Sequence, residues 1–415
     1  MAGGSGLDYD LVVVGGGPGG YPGALAAVLR GLRVAVVEAR GLGGECTLYG
    51  CVPSKVLLHA AYVVYEARRL GGSASLPLGR VLEEAAAVAG ELSRGVGLLL
   101  RGRGVDVVWG RGRLVGRGRV EVELAGGGVE VLSSRLVLLA PGSEPWAPRG
   151  LEPDGVLVLD NRGFLGLRRR VGRVLIVGGG PVGVEYAQAL AALGVETVLV
   201  EALPRLLPGV SVELGRYAAR LLRRLGVEVR TGCGVEVLER LRGERVRASL
   251  SCGGVVEADV AVVATGRRSA APGAVAEGLR GGLLDGRGFV RVDSRLSTGL
   301  PGVYAAGDAV GPPMLAHKAV HESLAAVENM LGGGVERPQA RRIPVVVYGL
   351  VEMAQVGYTS AVEAAGDGYE AGEVRVRLGG VARAYIEGGG DGFVKIVYDR
   401  GSGSLLGLVA AAPGA

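Results

Sequence analysis

The chain has 415 residues, long enough for two or three domains that each bury a core of their own. Its net charge of +5 is spread over 46 basic and 41 acidic residues, with short runs such as Arg168-Arg169-Arg170 and Arg223-Arg224, and 4 % aromatic residues give no interleaved basic surface for nucleic acid. The uncharged run from Leu11 to Leu29 is interrupted by Pro18, Pro22 and several glycines and follows no basic segment, so neither a membrane span nor a signal peptide is expected, and a soluble cytoplasmic protein is.

After a tail at Met1–Leu7 that is expected to be flexible, the apolar run Tyr9–Val14 predicts a strand. Gly15-Gly16-Gly17-Pro18-Gly19-Gly20 predicts a tight turn, Ala24–Leu29 a helix and Arg33–Val37 a second strand ending in Glu38. In a chain with 77 glycines the bare spacing of Gly15, Gly17 and Gly20 carries little weight. The whole layout does: a helix N-terminus receives a pyrophosphate, and an acid at the tip of the second strand accepts from ribose hydroxyls. Pro22 removes an N–H in that helix and is expected to kink it.

Gly43-Gly44-Glu45-Cys46-Thr47-Leu48-Tyr49-Gly50-Cys51-Val52-Pro53-Ser54-Lys55 follows. Its two cysteines are expected in a helical register, roughly on one face and close enough to close a small ring. A helix dipole and the Lys55 ammonium would favour a thiolate at Cys51. Taken by spacing alone, two core cysteines or half of a zinc site are equal alternatives. Lysine is informative here, because the chain has 3 lysines against 43 arginines and a kept lysine implies a need for a compact amine.

A helix is predicted over Val56–Arg69 and another over Val81–Leu100, then strands at Val105–Trp109, Val120–Leu124 and Val129–Leu132, and a strand entering a turn at Leu136–Gly142. From Val174 the dinucleotide layout recurs with Gly178, Gly180 and Gly183, a helix to Leu193 and the strand Thr197–Val200 ending in Glu201. Gly15 to Gly178 and Glu38 to Glu201 are both 163 residues, so two dinucleotide sites are expected, a flavin and a nicotinamide. Glu201 favours NAD, since a carboxylate repels a 2'-phosphate; Arg205 is the residue that would grip one.

Beyond a strand at Val227–Arg230, a meander is expected over Val235–Leu241, Arg245–Ser251 and Val255–Glu257, then a strand at Val260–Ala264. With a turn centred on Gly243, Cys233 and Cys252 fall nearly opposite one another. Two free cysteines acting as small hydrophobes is the favoured reading, and a cross-hairpin disulfide, suited to a thermophile's cytosol, is the alternative. Pro301–Asp308 predicts a strand delivering Asp308 at its carboxyl end, and Pro313–Ala319, with Met314, Leu315, Ala316 and His317, opens a helix whose dipole favours negative charge nearby. Ile343–Tyr348 and Phe393–Val397 predict strands of an antiparallel sheet.

The segment Gly43–Lys55 resembles the G-G-x-C-x-x-x-x-C-x-P-[ST]-K pattern of the flavin-dependent pyridine nucleotide-disulfide oxidoreductases, and Pro313–Ala319 resembles the lipoamide dehydrogenase branch in particular. The resemblance implies a redox disulfide in which Cys46 exchanges with substrate and Cys51 lies against the flavin. It implies a Glu185–Lys55 pair near the flavin, Asp308 on the ribityl chain, His317 as flavin-side structure, and the segments at Gly142 and Gly266 as part of the nucleotide sites, with Pro141 standing where threonine is usual.

The implied fold is two Rossmann-like three-layer α/β domains and an α+β dimerisation domain. FAD-binding would occupy 1–147 and 271–341, NAD-binding 148–270, and the interface domain 342–415. The implied reaction runs from a dihydrolipoyl group, or another small dithiol or disulfide, through the Cys46–Cys51 pair and FAD to NAD. A reductase of the same fold for a metal ion, another disulfide or a quinone, and a non-catalytic FAD-binding subunit, are the rival classes. The family's His-Glu pair is expected beyond the segment Leu406–Ala415 that ends this sequence, and neither His317, His321 nor His59, which should follow the redox helix, has its context. The interface domain is therefore expected to be incomplete, with a homodimer weakened, an apolar sheet face exposed, and dihydrolipoamide turnover reduced by roughly 10²–10⁴-fold.

Overall fold

The computed structural model describes residues 7–241, 244–388 and 390–415 and forms two compact units. All of the expected tail but Leu7, and Gly243 with the turn placed on it, lie outside the described residues. The first unit runs up to Pro53, resumes over Ala86–Glu144 and again over Arg267–Ala340.

At its centre the strand Tyr9–Val14 lies parallel between Val34–Glu38 and Val129–Leu139, with Leu11 opposite both Val34 and Leu136. Val303–Ala305 adds a further parallel strand beside Val129–Leu139. Leu11, Val12 and Val13 are wholly buried, because a parallel sheet is covered on both faces, and this explains the unbroken apolar run in the sequence. One face packs Val12, Val14 and Val37 against Leu114 and Val275; the other packs Leu11 and Val13 against Ala24, Ala27 and Ala325 of two helices, Tyr21–Leu29 and Ala316–Met330.

One expectation is corrected in this unit. Val129–Leu132 and Leu136–Leu139 are one strand, antiparallel to Arg119–Leu124 in its first half and parallel to Tyr9–Val14 in its second. Ser133 and Ser134 at the changeover broke the apolar pattern. Pro22 costs the helix no hydrogen bond: it falls in the first turn of the Tyr21–Leu29 helix, where its missing N–H has no intrahelical partner to lose.

The second unit comprises Ser54–Ala85, Pro145–Gly266 and Arg341–Ala415. Its parallel sheet has the order Glu228–Thr231, Glu196–Glu201, Arg173–Val177, Val260–Val263 and Val158–Leu159. The meander Val235–Leu241, Arg245–Leu250 and Val255–Ala258 packs on it through Val246, Ala248 and Val256. The last segment is a five-stranded antiparallel sheet in the order Val345–Val347, Glu352–Gly357, Leu405–Ala412, Phe393–Asp399 and Ala371–Arg377. Met353, Phe393, Val397, Val409 and Ala411 bury one face of it completely. The alternate residues Val356, Val394, Ile396 and Leu408 leave an apolar, half-buried opposite face, and Val374 and Val376 on the outer strand are exposed. The helix expected from Val56 begins at Cys51 and runs to Arg69, so the redox segment opens the same helix that carries His59, and His59 does not follow it.

Candidate active site

The two glycine turns have the same construction. Gly15 and Gly178 are left-handed, at φ +105 and +112, and each donates its N–H to the end of the neighbouring strand, Val37 O and Val200 O at 2.8 Å. A Cβ on Gly15 would strike the Ala140 carbonyl just past Val129–Leu139, one on Gly178 the Ala264 carbonyl just past Val260–Val263, and one on Gly20 or Gly183 the carbonyl of Gly15 or Gly178. Those glycines allow helix and strand to meet closely. Gly16 N–H donates to Glu38 Oε2 at 2.7 Å, and Gly179 N–H to Glu201 Oε2 at 2.6 Å. The second oxygen of each acid is held by its own loop: Glu38 Oε1 by Arg40 N–H and Gly41 N–H, Glu201 Oε1 by Leu203 N–H. Gly17 and Pro18 lie in the first turn ahead of its helix, and Gly180 opens the second helix with no heavy atom near the place of a Cβ.

A cleft of about 370 Å³ opens at the first turn, lined by Gly15, Glu38, Arg40, Arg111, Glu144 and Arg268. Its size and its arginines suit part of an anionic dinucleotide. The glycine cradle and the strand-tip acid beside it fit FAD in the first unit, and the equivalent turn fits a nicotinamide nucleotide in the second.

Cys46 and Cys51 are joined as a disulfide, their Cα atoms 4.7 Å apart. They do not share one helical face, as expected from spacing. Five positions along a continuous helix is about 500° of rotation, so its ends point apart. The chain instead ends a short helix, Gly44–Leu48, breaks at Tyr49-Gly50 and starts a new one at Cys51. The break folds the ring shut and leaves Cys51 at a helix N-terminus. Gly43 and Gly44 enter the first helix at φ +85 and +60, and a Cβ on Gly44 would meet Gly17 Cα at 2.7 Å.

A network that the sequence did not reveal supports this segment in the first unit. Arg267 donates from Nη1 to Glu45 Oε1 at 3.3 Å, from Nε to Ser143 Oγ at 2.7 Å and from Nη2 to Ser143 O at 2.8 Å. Ser143 Oγ in turn donates to Asp308 Oδ2 at 2.5 Å. One guanidinium thus ties the residue before Cys46 to Asp308, using the fork geometry that lysine lacks. The turn at Gly142, φ +75, sets Ser143 in place, and Pro141 beside it leaves that turn formed.

Behind Asp308, Lys318 and Glu322 are buried. Lys318 Nζ donates to Gly307 O at 3.1 Å, Gly311 O at 2.8 Å and Glu322 Oε2 at 3.1 Å, while Gly307 N–H donates to the same carboxylate at 3.0 Å. Burial holds the Lys318 amine below its ordinary range, opposed by the Glu322 charge. Met314 and Leu315 precede this helix half-buried, Ala316 opens it, and His317 is exposed on it.

In the second unit Lys55 Nζ lies 3.1 and 3.0 Å from the two oxygens of Glu185, which is buried in the helix Pro181–Ala192. Tyr348 N–H donates to Glu185 Oε1 at 3.1 Å, and the Tyr348 ring centre is 4.0 Å from the ammonium. The ring adds a cation–π contact to the ion pair. Gly266, φ +128, follows the Val260–Val263 strand. Arg205, the alternative phosphate grip, donates to the carbonyls of Leu207, Pro208 and Val210.

Cys233 and Cys252 form a second disulfide, against the expectation of two free thiols. The loop ahead of Val235–Leu241, which carries Cys233, lies across from the turn between Arg245–Leu250 and Val255–Ala258, which carries Cys252, and the two Cα atoms are 5.1 Å apart, a proximity that hairpin counting alone left undecided. Among the described residues no group of three or more His, Cys, Asp or Glu side chains is placed to hold a metal ion, and no helix is long and apolar enough to cross a membrane.

Residues 9–323 match the pyridine nucleotide-disulphide oxidoreductase family, and 343–415 its dimerisation domain. A dihydrolipoyl dehydrogenase of Thermus scotoductus is 36 % identical over 98 % of this chain and 88 % of its own length. One of Chlorobaculum tepidum is 34 % identical over 96 % and 86 %. The solved structure of LpdA from Mycobacterium tuberculosis superposes with a TM-score of 0.90 at 29 % identity, covering 98 % of this chain and 90 % of LpdA. The flavoprotein disulfide reductase RclA of Escherichia coli shares the fold, with a TM-score of 0.86 at 24 % identity over 98 % and 90 %.

Proposed function

Because the chain belongs to the pyridine nucleotide-disulphide oxidoreductases and is an FAD- and NAD-dependent dithiol–disulfide oxidoreductase, we propose that its substrate is a dihydrolipoyl group and that NAD is the terminal acceptor. The observation that carries this reading is the Cys46–Cys51 disulfide closed at a helix N-terminus, in a chain that repeats one nucleotide-binding turn twice.

FAD, when bound, supplies a two-electron relay between thiols and nicotinamide. Gly15, Gly17, Pro18, Gly20, Glu38, Gly44, Gly142, Asp308 and the segment Met314–His317 hold it. Gly178, Gly180, Gly183, Glu201 and Gly266 hold NAD. A substrate thiolate attacks Cys46, the S–S bond breaks, and Cys51 leaves as a thiolate stabilised by its helix N-terminus and by Lys55 one turn further on. Glu185 holds that lysine in place through both of its carboxylate oxygens. The chain division into 1–147 with 271–341, 148–270 and 342–415 belongs to the same proposal, as does a cytoplasmic location. A homodimer is supported by the matched dimerisation domain and the apolar face around Val356, Ile396 and Leu408.

The test is turnover of dihydrolipoamide with NAD by the FAD-loaded protein, run beside NADH-driven reduction of glutathione disulfide, a quinone and a metal ion. Preference for dihydrolipoamide is expected. Preference for another acceptor would replace the substrate and leave the reaction class standing.

A further inference from the structure

We propose that Cys233–Cys252 is a second thiol–disulfide exchange site, open to dithiols through Cys252, whose state sets the grip of the nicotinamide turn. The two sulfurs differ sharply in access. Cys233 is 1 % exposed and belongs to the apolar cluster of Leu175, Val177, Val198 and Val200, whereas Cys252 stands exposed on the turn between two meander strands. An incoming thiolate therefore reaches only the Cys252 sulfur.

That asymmetry selects the reagent. Attack at Cys252 forms a mixed disulfide and breaks the Cys233–Cys252 bond, whose electron pair leaves with the Cys233 sulfur and then takes a proton. A thiolate leaving into apolar surroundings is poorly stabilised, so with a monothiol Cys233 re-attacks Cys252 and expels the reagent. A dithiol has a second route. Its free sulfur attacks its own bound sulfur, closes a cyclic disulfide and releases Cys252 as a thiolate that is protonated. The dithiol is oxidised, the protein is reduced by two electrons, and the high effective concentration of the second thiol drives the step. Small dithiols are also the substrate class of the proposed reaction, on which this inference rests for its physiological reductant.

The link to the nucleotide turn is direct. Cys233 N–H donates to Glu201 O at 3.0 Å, and Gly232 N–H to Leu203 O at 2.8 Å, so this loop clasps the two residues that flank the acid's own bond to Leu203 N–H. On its other side Gly234 N–H donates to Ser251 Oγ at 2.8 Å and Ser251 N–H to Gly234 O at 2.9 Å. The disulfide thus ties the Glu201 strand tip covalently to the meander, and opening it leaves apolar packing and hydrogen bonds there.

The test uses the FAD-loaded enzyme. It is treated with dithiothreitol, or with 2-mercaptoethanol at equal thiol concentration, alkylated without denaturation, and mapped by peptide mass; NADH affinity is measured on the same samples. Cys252 should be alkylated after dithiothreitol and not after the monothiol, and NADH affinity should fall roughly three- to tenfold, the scale of one hydrogen bond. Because dithiothreitol also opens Cys46–Cys51, the comparison is repeated with Cys252→Ser, whose NADH affinity should be lowered already and should not respond to the dithiol. Unlabelled Cys252 after dithiothreitol, equal labelling by both reagents, or an affinity change that persists in Cys252→Ser would each overturn the proposal. Failure of the nucleotide reading itself would appear differently, as no NADH binding to the oxidised enzyme.

Discussion

Lys55 donates to both carboxylate oxygens of Glu185, at 3.1 and 3.0 Å, and the glutamate is the buried partner. Replacing Lys55 with methionine leaves that carboxylate with the Tyr348 N–H and no cation. The expected loss of stability is about 1–3 kcal/mol, toward the lower end because the lysine side chain is 35 % exposed. The double variant Lys55→Met, Glu185→Leu should regain most of it, since no charge is then stranded. Chemical denaturation of the three proteins measures this, and additive losses would show that the two residues are not coupled.

Arg267 bridges Glu45, Ser143 and, through Ser143, Asp308. A lysine there keeps the charge and loses the fork, so Arg267→Lys should weaken FAD binding by about tenfold, the scale of one or two hydrogen bonds. Release of flavin on dilution, followed by its fluorescence, reads the effect. An unchanged FAD affinity would separate this network from the cofactor.

Glu201 faces its glycine turn as Glu38 faces the first one. Glu201→Ala should narrow the preference for NADH over NADPH by about 1–2 kcal/mol, through a lost hydrogen bond and relieved repulsion of a 2'-phosphate. An unchanged preference would remove the residue from recognition.

Acid stability should depend on Asp154 and Asp259. Burial pushes both carboxyls up, but the N–H groups of Val156, Leu157 and Val158 with the Arg240 side chain on Asp154, and the N–H groups of Arg173 and Gly172 with the Arg245 and Arg169 charges on Asp259, outweigh it and hold both below the ordinary value of 3.8. A folded value below the unfolded one means stabilisation complete above the unfolded value and lost as pH falls through the folded one. Asp154→Asn with Asp259→Asn should therefore lower the melting temperature at pH 7 and flatten its decline as the pH falls below about 4. Parallel curves for variant and parent would contradict this.

The sequence was most informative where residue scarcity sharpened the signal. All three lysines of this arginine-rich chain meet glutamates: Lys55 with Glu185, Lys318 with Glu322, and Lys395 with Glu213 at 2.6 Å. The paired glycine turns were readable because their acids repeat at one interval, and the structure gives both turns the same hydrogen bonds. What stayed hidden depended on distance along the chain or on local breaks. Arg267 and Glu45 are separated by 222 residues, and no periodicity joins them. The Tyr49-Gly50 break is a tertiary choice that closes the cysteine ring, and helical spacing gave no sign of it.

The central claim is that one chain couples a redox disulfide, FAD and NAD, and anaerobic titration of the FAD-loaded protein with NADH tests it most directly. The account predicts bleaching of the flavin followed by a long-wavelength absorbance from a thiolate packed on it. That absorbance should be abolished in Cys51→Ser and kept in Cys46→Ser. A flavin that NADH does not bleach, in protein shown to bind both cofactors, would contradict the account and leave FAD a structural ligand.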